Sequence, residues 1–329
     1  MKRVLSLLPL VAGMALTSTA EANNFYKCST DGCSWAGWGL TTSSYSQTRY
    51  PIVLSHGMGG FSAIGPLDYW YGIPHDLATH GARVYVTQVA SFTDSVTRGE
   101  QLLQQVKQIQ AITGAPKVNL VAHSQGTLDS RYVAAVAPSR IASVTGVGGP
   151  NTGSPVADAI TGLTSALGPV PTDLVATVIN GFFSLVGTLS GKGYEQDALA
   201  GLGQLTTPAM AAFNAAYPAG LPDSSTPCGQ GASMVNGIRY FSWGGTGVST
   251  HLLDVSDLAL AVTKLAFQGQ ANDGLVGQCS SHLGTVIRDN YNMNHLDEVN
   301  QVLGLVALNE ANPVSVFRAH TNRLKNAGL

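Results

Sequence analysis

The chain has 329 residues, of which 44% are hydrophobic and only 11% charged, and its net charge is -2. So flat a charge balance, with no basic run, argues against a nucleic-acid partner. The length suits one large α/β domain or two smaller ones, and the neutral surface fits a secreted protein that works near apolar material.

Residues 1–22 read as a secretory signal peptide. Lys2 and Arg3 are its charged region, Leu5 to Leu16 its apolar region, and Ala20-Glu21-Ala22 its small-residue cleavage site. The apolar stretch is too short and too punctuated for a membrane span. The expected route is export through the periplasm. Four cysteines follow, Cys28, Cys33, Cys228 and Cys279. An even number in an exported chain implies disulfides. Of the three pairings, sequence proximity favours Cys28–Cys33, which leaves Cys228–Cys279.

Residues 23–46 read as an irregular, disulfide-stapled surface loop, with Trp35 and Trp38 expected to pack on the body. The main domain is then residues 47–329. Tyr50 to Ser55 (YPIVLS) is a short apolar run that predicts a central strand. The turn His56-Gly57-Met58-Gly59-Gly60 follows it. Asp68 to His80 predicts a helix, Ala82 to Val89 a strand, and Arg98 to Ile112 a helix with Leu102, Leu103, Val106 and Ile109 on one face. This alternation of strand and helix predicts a mostly parallel sheet covered on both faces.

Val118 to Ala122 is a buried-looking strand. His123-Ser124-Gln125-Gly126 follows, and then a helix with Leu128, Tyr132, Val133 and Val136 at helical spacing. A serine between strand and helix, with small neighbours, is the context of a nucleophile elbow. Such a serine needs oxyanion donors, and the glycine turn after the first central strand supplies one. The donors expected are the backbone N–H groups of Met58 and Gln125. Ile141 to Val147 predicts another strand. Residues 154–222 change character, with few charges and an apolar segment around Leu174, Val178, Phe182 and Val186, and read as an inserted cap; periodicity allows that segment to be a lid or a core helix. Asn236 to Ser242 returns to strand pattern, and Ser315 to Lys325 is a closing helix.

A serine hydroxyl needs a base, and the base needs a carboxylate to hold its tautomer. In the order serine, acid, histidine, Ser124, Asp273 and His295 fit, both partners lying on loops; His282 is the other late histidine in a suitable loop. His123 should point away from the serine and so is not the base. Asp254 and Asp297 offer hard oxygen ligands for a divalent cation, although Asp297 could equally cap the helix after His295.

Long strings resemble one family. YPIVLSHGM, DYWYGIP, RGEQLLQQV, PKVNLVAHSQG, RYVAAV and VIRDNYNMNHLDEVNQVLGL are similar to the secreted triacylglycerol lipases of Pseudomonas and Burkholderia, which depend on a membrane-bound foldase. The resemblance runs from about Tyr45 to the C-terminus. It implies an α/β-hydrolase fold with a mostly parallel sheet and a helical cap, and lipase action on water-insoluble esters at an oil–water interface. It implies Ser124, Asp273 and His295 as the triad. It further implies a structural calcium ion on Asp254 and Asp297 and the backbone carbonyls of Gln301 and Leu305. The family disulfide falls on Cys228 and Cys279, and the family lid within about residues 164–186. The chain departs from the family's usual glycines at Ala122 and Thr127. The alternative reading is a carboxylesterase or polyester depolymerase with the same triad.

Overall fold

A computed structural model describes residues 24–38, 40–61, 63–64, 67–162 and 195–329. The signal peptide and the expected lid, residues 164–186, lie outside the described residues. The strands are β1 (Asn24–Ser29), β2 (Gly32–Trp38), β3 (Ile52–Ser55), β4 (Val84–Thr87), β5 (Val118–His123), β6 (Ile141–Val147), β7 (Ile238–Gly245) and β8 (Thr285–Tyr291). The helices used below are α1 (Ile73–Thr79), α2 (Ser95–Thr113), α3 (Gly126–Val136), α4 (Pro155–Ile160), α5 (Ala198–Gln204), α6 (Thr207–Ala216), α7 (Ser256–Thr263) and α8 (Pro313–Asn326).

The main sheet runs in the order β8-β7-β6-β5-β3-β4-β1-β2, and Met234–Val235 adds a short antiparallel pair to β7. Six consecutive pairings, from β8 to β1, are parallel. β3, β4, β5 and β6 are buried along their whole length, as strands covered on both faces must be. One core joins α2 and α3 to Val53, Leu120 and Val144; the other joins α1 and α8 to Ile52, Leu54 and Val121. Successive residues of a strand alternate faces, so each strand feeds both cores. The α/β-hydrolase architecture anticipated above is therefore present.

Helix ends follow their capping chemistry. Asp94 accepts from the N–H groups of Val96 and Thr97 at the start of α2, and Gly114, with φ 66°, closes it. Asn312 caps α8 ahead of Pro313. Between β6 and β7 the described residues include α4, α5 and α6, a helical insertion in the sheet's connection. Its anchor is Arg131 on α3, which is buried and pairs with no carboxylate among the described residues. It donates to Asn151 Oδ1, Asn214 Oδ1 and the Tyr217 carbonyl, and lies over the Phe213 ring at 5.2 Å. Asp158 adds a second tie, accepting from Thr207 N and Thr207 Oγ1.

Three expectations need correction. Residues 24–38 are not an irregular loop but a hairpin that extends the central sheet, with β1 parallel to β4. The Cys28–Cys33 disulfide staples its tip, and Cys228–Cys279 is the second bridge. The helix expected from Asp68 starts only at Ile73; Tyr69 and Trp70 are buried side chains of the segment before it. Trp35 and Trp38 do not pack on the body: they are 58% and 64% exposed. A bulge explains their common face. Tyr26 pairs with Trp35 and Phe25 with Gly37, so Ala36 is an extra residue that turns Trp35 and Trp38 to the same side.

Trp70 and Trp243 are both only 1% exposed. Iodide should therefore quench only the emission of Trp35 and Trp38. The W35F/W38F double variant should lose that quenchable fraction, with stability within about 0.5 kcal/mol of the parent for surface substitutions. Unchanged quenching in the double variant would contradict the exposed placement.

Candidate active site

β5 ends in His123 and α3 begins at Gly126, so Ser124 sits at the junction. Its φ is 54°, in the left-handed region where an L-residue pays about 1–2 kcal/mol. The strain is held by Ser124 N–H donating to the Val147 carbonyl (2.9 Å) and Thr127 N–H donating to the Ser124 carbonyl (3.0 Å). A Cβ on Gly126 would lie 2.5 Å from the Ser55 carbonyl oxygen and 2.6 Å from that of His56. Only glycine lets the elbow close on β3. A Cβ on Gly57 would lie 2.6 Å from Ser124 Cβ, so the turn after β3 needs glycine for the same reason. Ala122 is fully buried between Ser55 and Gly146 of the neighbouring strands. Thr127 has room because Gly146 and Gly149 face it; a Cβ on either would come within 2.7 Å of its side chain.

Asp273 and His295 are brought together. His295 Nδ1 is 2.7 Å from Asp273 Oδ2, and His295 N–H donates to the Asp273 carbonyl at 2.9 Å. Asp273 Oδ1 accepts from the N–H groups of Leu275 (2.8 Å) and Val276 (2.7 Å), which fixes the carboxylate. The His295 ring lies 4.5 Å from that of His123, which brings it to the elbow. Ser124, Asp273 and His295 are all buried. The bond formed is the one between His295 and Asp273; a serine–histidine contact often tightens only when substrate is bound. The other late histidine, His282, is turned elsewhere, to the Gly229 carbonyl and Asp289.

Among the described residues, no acceptor engages the Met58 or Gln125 N–H. The turn that carries Met58 is clamped from several sides. His56 Nδ1 donates to the Gly57 carbonyl (2.8 Å), while its Nε2 accepts from Val89 N–H (3.2 Å). Burial, then the charge on Arg98, lowers the His56 pKa to about 3, so the ring stays neutral. Gln125 Nε2 reaches the Thr93 carbonyl at 2.8 Å, tying the elbow to the loop ahead of α2.

Sequence reasoning passed over Arg98, Tyr69 and Glu298. Arg98 is fully buried. It donates through Nε to Asp129 Oδ2 (2.8 Å), through Nη2 to the His56 carbonyl (2.6 Å) and through Nη1 to the Ala90 carbonyl. Burial pushes Asp129 up to about 7 against the pull of that guanidinium. Glu298, three residues after His295, is buried and its pKa is raised by burial and by Asp273. All three lie in strings that resemble the lipase family, DYWYGIP, RGEQLLQQV and VIRDNYNMNHLDEVNQVLGL, but nothing in those strings marks a polar side chain as buried.

Two of the residues expected to bind calcium, Asp254 and Asp297, are bridged by Asn294. Asn294 N–H donates to Asp297 Oδ2 (3.0 Å) and Asn294 Nδ2 reaches Asp254 Oδ2 (3.3 Å). Among the described residues, Asp297 Oδ1 is buried with no hydrogen-bond partner. Burial pushes Asp297 up to about 7, and Asp254 and Asp257 add to that. Among the described residues, neither the Gln301 nor the Leu305 carbonyl accepts a backbone hydrogen bond. A buried, unpartnered carboxylate oxygen beside a second aspartate fits a hard cation such as calcium.

Comparison with known proteins follows the same lines. Residues 50–187 match the α/β-hydrolase fold family. A triacylglycerol lipase of Vibrio cholerae is 50% identical over 299 residues, covering 90% of this chain and 95% of that protein. The chain belongs to the triacylglycerol lipase family. A Burkholderia plantarii triacylglycerol lipase is 44% identical, covering 88% of this chain and 90% of that one. The Pseudomonas fragi counterpart is 43% identical, covering 86% and 98%. The structure of Staphylococcus hyicus lipase superposes with a TM-score of 0.56 at 16% identity, covering 89% of this chain and 99% of that one, a likeness of fold alone. As a member of this family the protein is a carboxylic ester hydrolase.

Arg98→Met would leave Asp129 buried without its cation. The expected loss is about 3–5 kcal/mol of unfolding free energy. Denaturant titration within about 1 kcal/mol of the parent would contradict the clamp.

Proposed function

We propose that the protein is a secreted lipase that hydrolyses the ester bonds of water-insoluble triacylglycerols through an acyl-enzyme on Ser124. The observation that carries this reading is the buried His295–Asp273 pair beside a strained serine. His295 Nδ1–H donates to Asp273, which leaves Nε2 as the basic nitrogen. His295 takes the Ser124 proton as Oγ attacks the ester carbonyl. The oxyanion is met by the N–H groups of Met58 and Gln125. The tetrahedral intermediate collapses, and His295 returns the proton to the departing alcohol. Water then attacks the acyl-enzyme with His295 again as base, and the fatty acid leaves from Ser124.

The choice of an insoluble substrate is supported by the family and by the exposed side chains of Leu252, Leu253, Val255 and Leu258 around Asp254. Export is supported by the signal-like first 22 residues and by two disulfides. Folding with a membrane-bound foldase in the periplasm rests on the sequence resemblance. A calcium ion held by Asp254, Asp297 and the carbonyls of Gln301 and Leu305 would supply charge balance for the buried acids. Its part is to stiffen the loop that carries His295, with no role in bond making.

Ser124→Ala should lower kcat on a soluble nitrophenyl ester by at least about 10⁴-fold while the variant melts near the parent. Parental turnover in a folded variant would end the proposal. On emulsified long-chain triglyceride the rate should jump once the substrate passes its solubility limit. A protein that acts only on dissolved short esters would be a carboxylesterase instead. Chelation with EGTA should lower the melting temperature and calcium should restore it; a melting curve indifferent to both would remove the metal site.

A further inference from the structure

A buried run of polar contacts lies beneath the catalytic loops, hydrogen-bonded from Gly57 through Tyr69 to His123; among the described residues His123 Nε2 and Glu298 Oε2, its next link, face each other without a hydrogen bond. Gly57 N–H donates to Tyr69 Oη at 3.1 Å, and Tyr69 Oη lies 2.5 Å from His123 Nδ1. His123 Nε2 lies 3.4 Å from Glu298 Oε2, and Glu298 Oε1 accepts from Gly245 N–H at 2.6 Å. Tyr69, His123 and Glu298 are all buried. Gly148 makes the room: a Cβ there would lie 2.0 Å from Glu298 Oε2.

The protons between Gly57 and His123 follow from the donors present. The Gly57 amide can only donate, so the phenol oxygen accepts there. The phenol proton then has His123 Nδ1 as its acceptor. A neutral imidazole that accepts at Nδ1 carries its proton on Nε2, the atom facing Glu298. Burial, then the neighbouring His295, holds the His123 pKa well below its ordinary value, so the ring stays neutral.

Each link belongs to a different loop of the site. Gly57 precedes Met58, and the Gly57 carbonyl and Met58 N–H share one planar peptide. Tyr69 holds Gly57 at its nitrogen, while Gly60 N–H (3.1 Å) and His56 Nδ1 (2.8 Å) hold it at its carbonyl. The direction of the Met58 N–H is thereby fixed. His123 precedes Ser124, and Glu298 follows His295 by three residues. Tyr69 Oη and Ser124 Cβ both fall within 3.0 Å of the point where Gly57 would carry a Cβ.

We propose that Tyr69 is a positioning residue: through Gly57 N–H and His123 Nδ1 its hydroxyl sets the oxyanion donor at Met58 against the nucleophile, with the phenol proton donated to a bare His123 Nδ1. This rests on the reading of Met58 as an oxyanion donor and adds a residue that neither touches the reacting carbonyl nor belongs to the triad. Hydrogen bonds held in a water-excluded site are strong and cost little reorganisation, so a loosened donor weakens the transition state more than the ground state.

The parent protein carries the first test. With ¹⁵N-labelled histidine, NMR should find His123 with a bare Nδ1 and a protonated Nε2. The opposite tautomer overturns the proposal, and this measurement needs no variant to fold. In Tyr69→Phe, kcat on a soluble short-chain ester should fall about 10–100-fold with KM within about twofold, a fraction of the loss expected for removing an oxyanion donor outright. The affinity of a boronic acid that mimics the tetrahedral intermediate should fall by the same factor as kcat/KM. Parental turnover in the variant, or a lower kcat with unchanged boronate affinity, overturns the proposal. Failure of the Ser124 reading is separable, since it appears as turnover by Ser124→Ala.

Discussion

The buried guanidinium of Arg98 is the constraint on which the site depends. A charge taken out of water must find all its partners in the protein, or the fold loses several kcal/mol. Arg98 finds them on three separate pieces of chain: Asp129 on α3, the His56 carbonyl on the glycine turn after β3, and the Ala90 carbonyl ahead of α2. None of these pieces can drift without stripping a ligand from the charge. The same charge helps hold His56 neutral, and neutral His56 is what bonds Gly57 and Val89. Strain at Ser124 is affordable because the elbow is fastened this way from below.

Arg131 makes an instructive contrast. It is also buried, but it meets amide oxygens, a backbone carbonyl and an aromatic ring in place of a carboxylate, and burial lowers its pKa to about 9. Asn214 and Phe213 lie on α6 and Tyr217 at its end, so the insertion is anchored to helix α3. The acidic counterpart is the cluster of Asp254, Asp257 and Asp297 near the His295 loop, in which Asp297 Oδ1 has no hydrogen-bond partner among the described residues. Each loop of the site thus rests on a buried polar group of its own, and the chain through Tyr69, His123 and Glu298 links them.

The elbow was legible in the sequence because its requirements are local. A strand, a serine and Gly126 must be adjacent for the backbones to approach, so the constraint is written in consecutive residues. The pairing of His295 with Asp273 followed from chain order and chemistry. Arg98, Tyr69 and Glu298 were missed for the opposite reason: their partners lie 31, 54 and 53 residues away for Asp129, His123 and Gly245, and no periodicity records a single polar contact. The hairpin was missed because β1 joins the sheet through β4, nearly 60 residues further on, while its own glycines and cysteines read as a loop. The exposure of Trp35 and Trp38 depends on one bulged residue, Ala36, which changes the face of everything after it.

The central claim is that Ser124 is the nucleophile of an ester hydrolase. A fluorophosphonate probe followed by peptide mass mapping tests it most directly. The account predicts one equivalent of adduct per chain, located on Ser124, with activity lost in proportion to labelling. An adduct on another residue with Ser124 unmodified, or full inactivation with no adduct on Ser124, would contradict it.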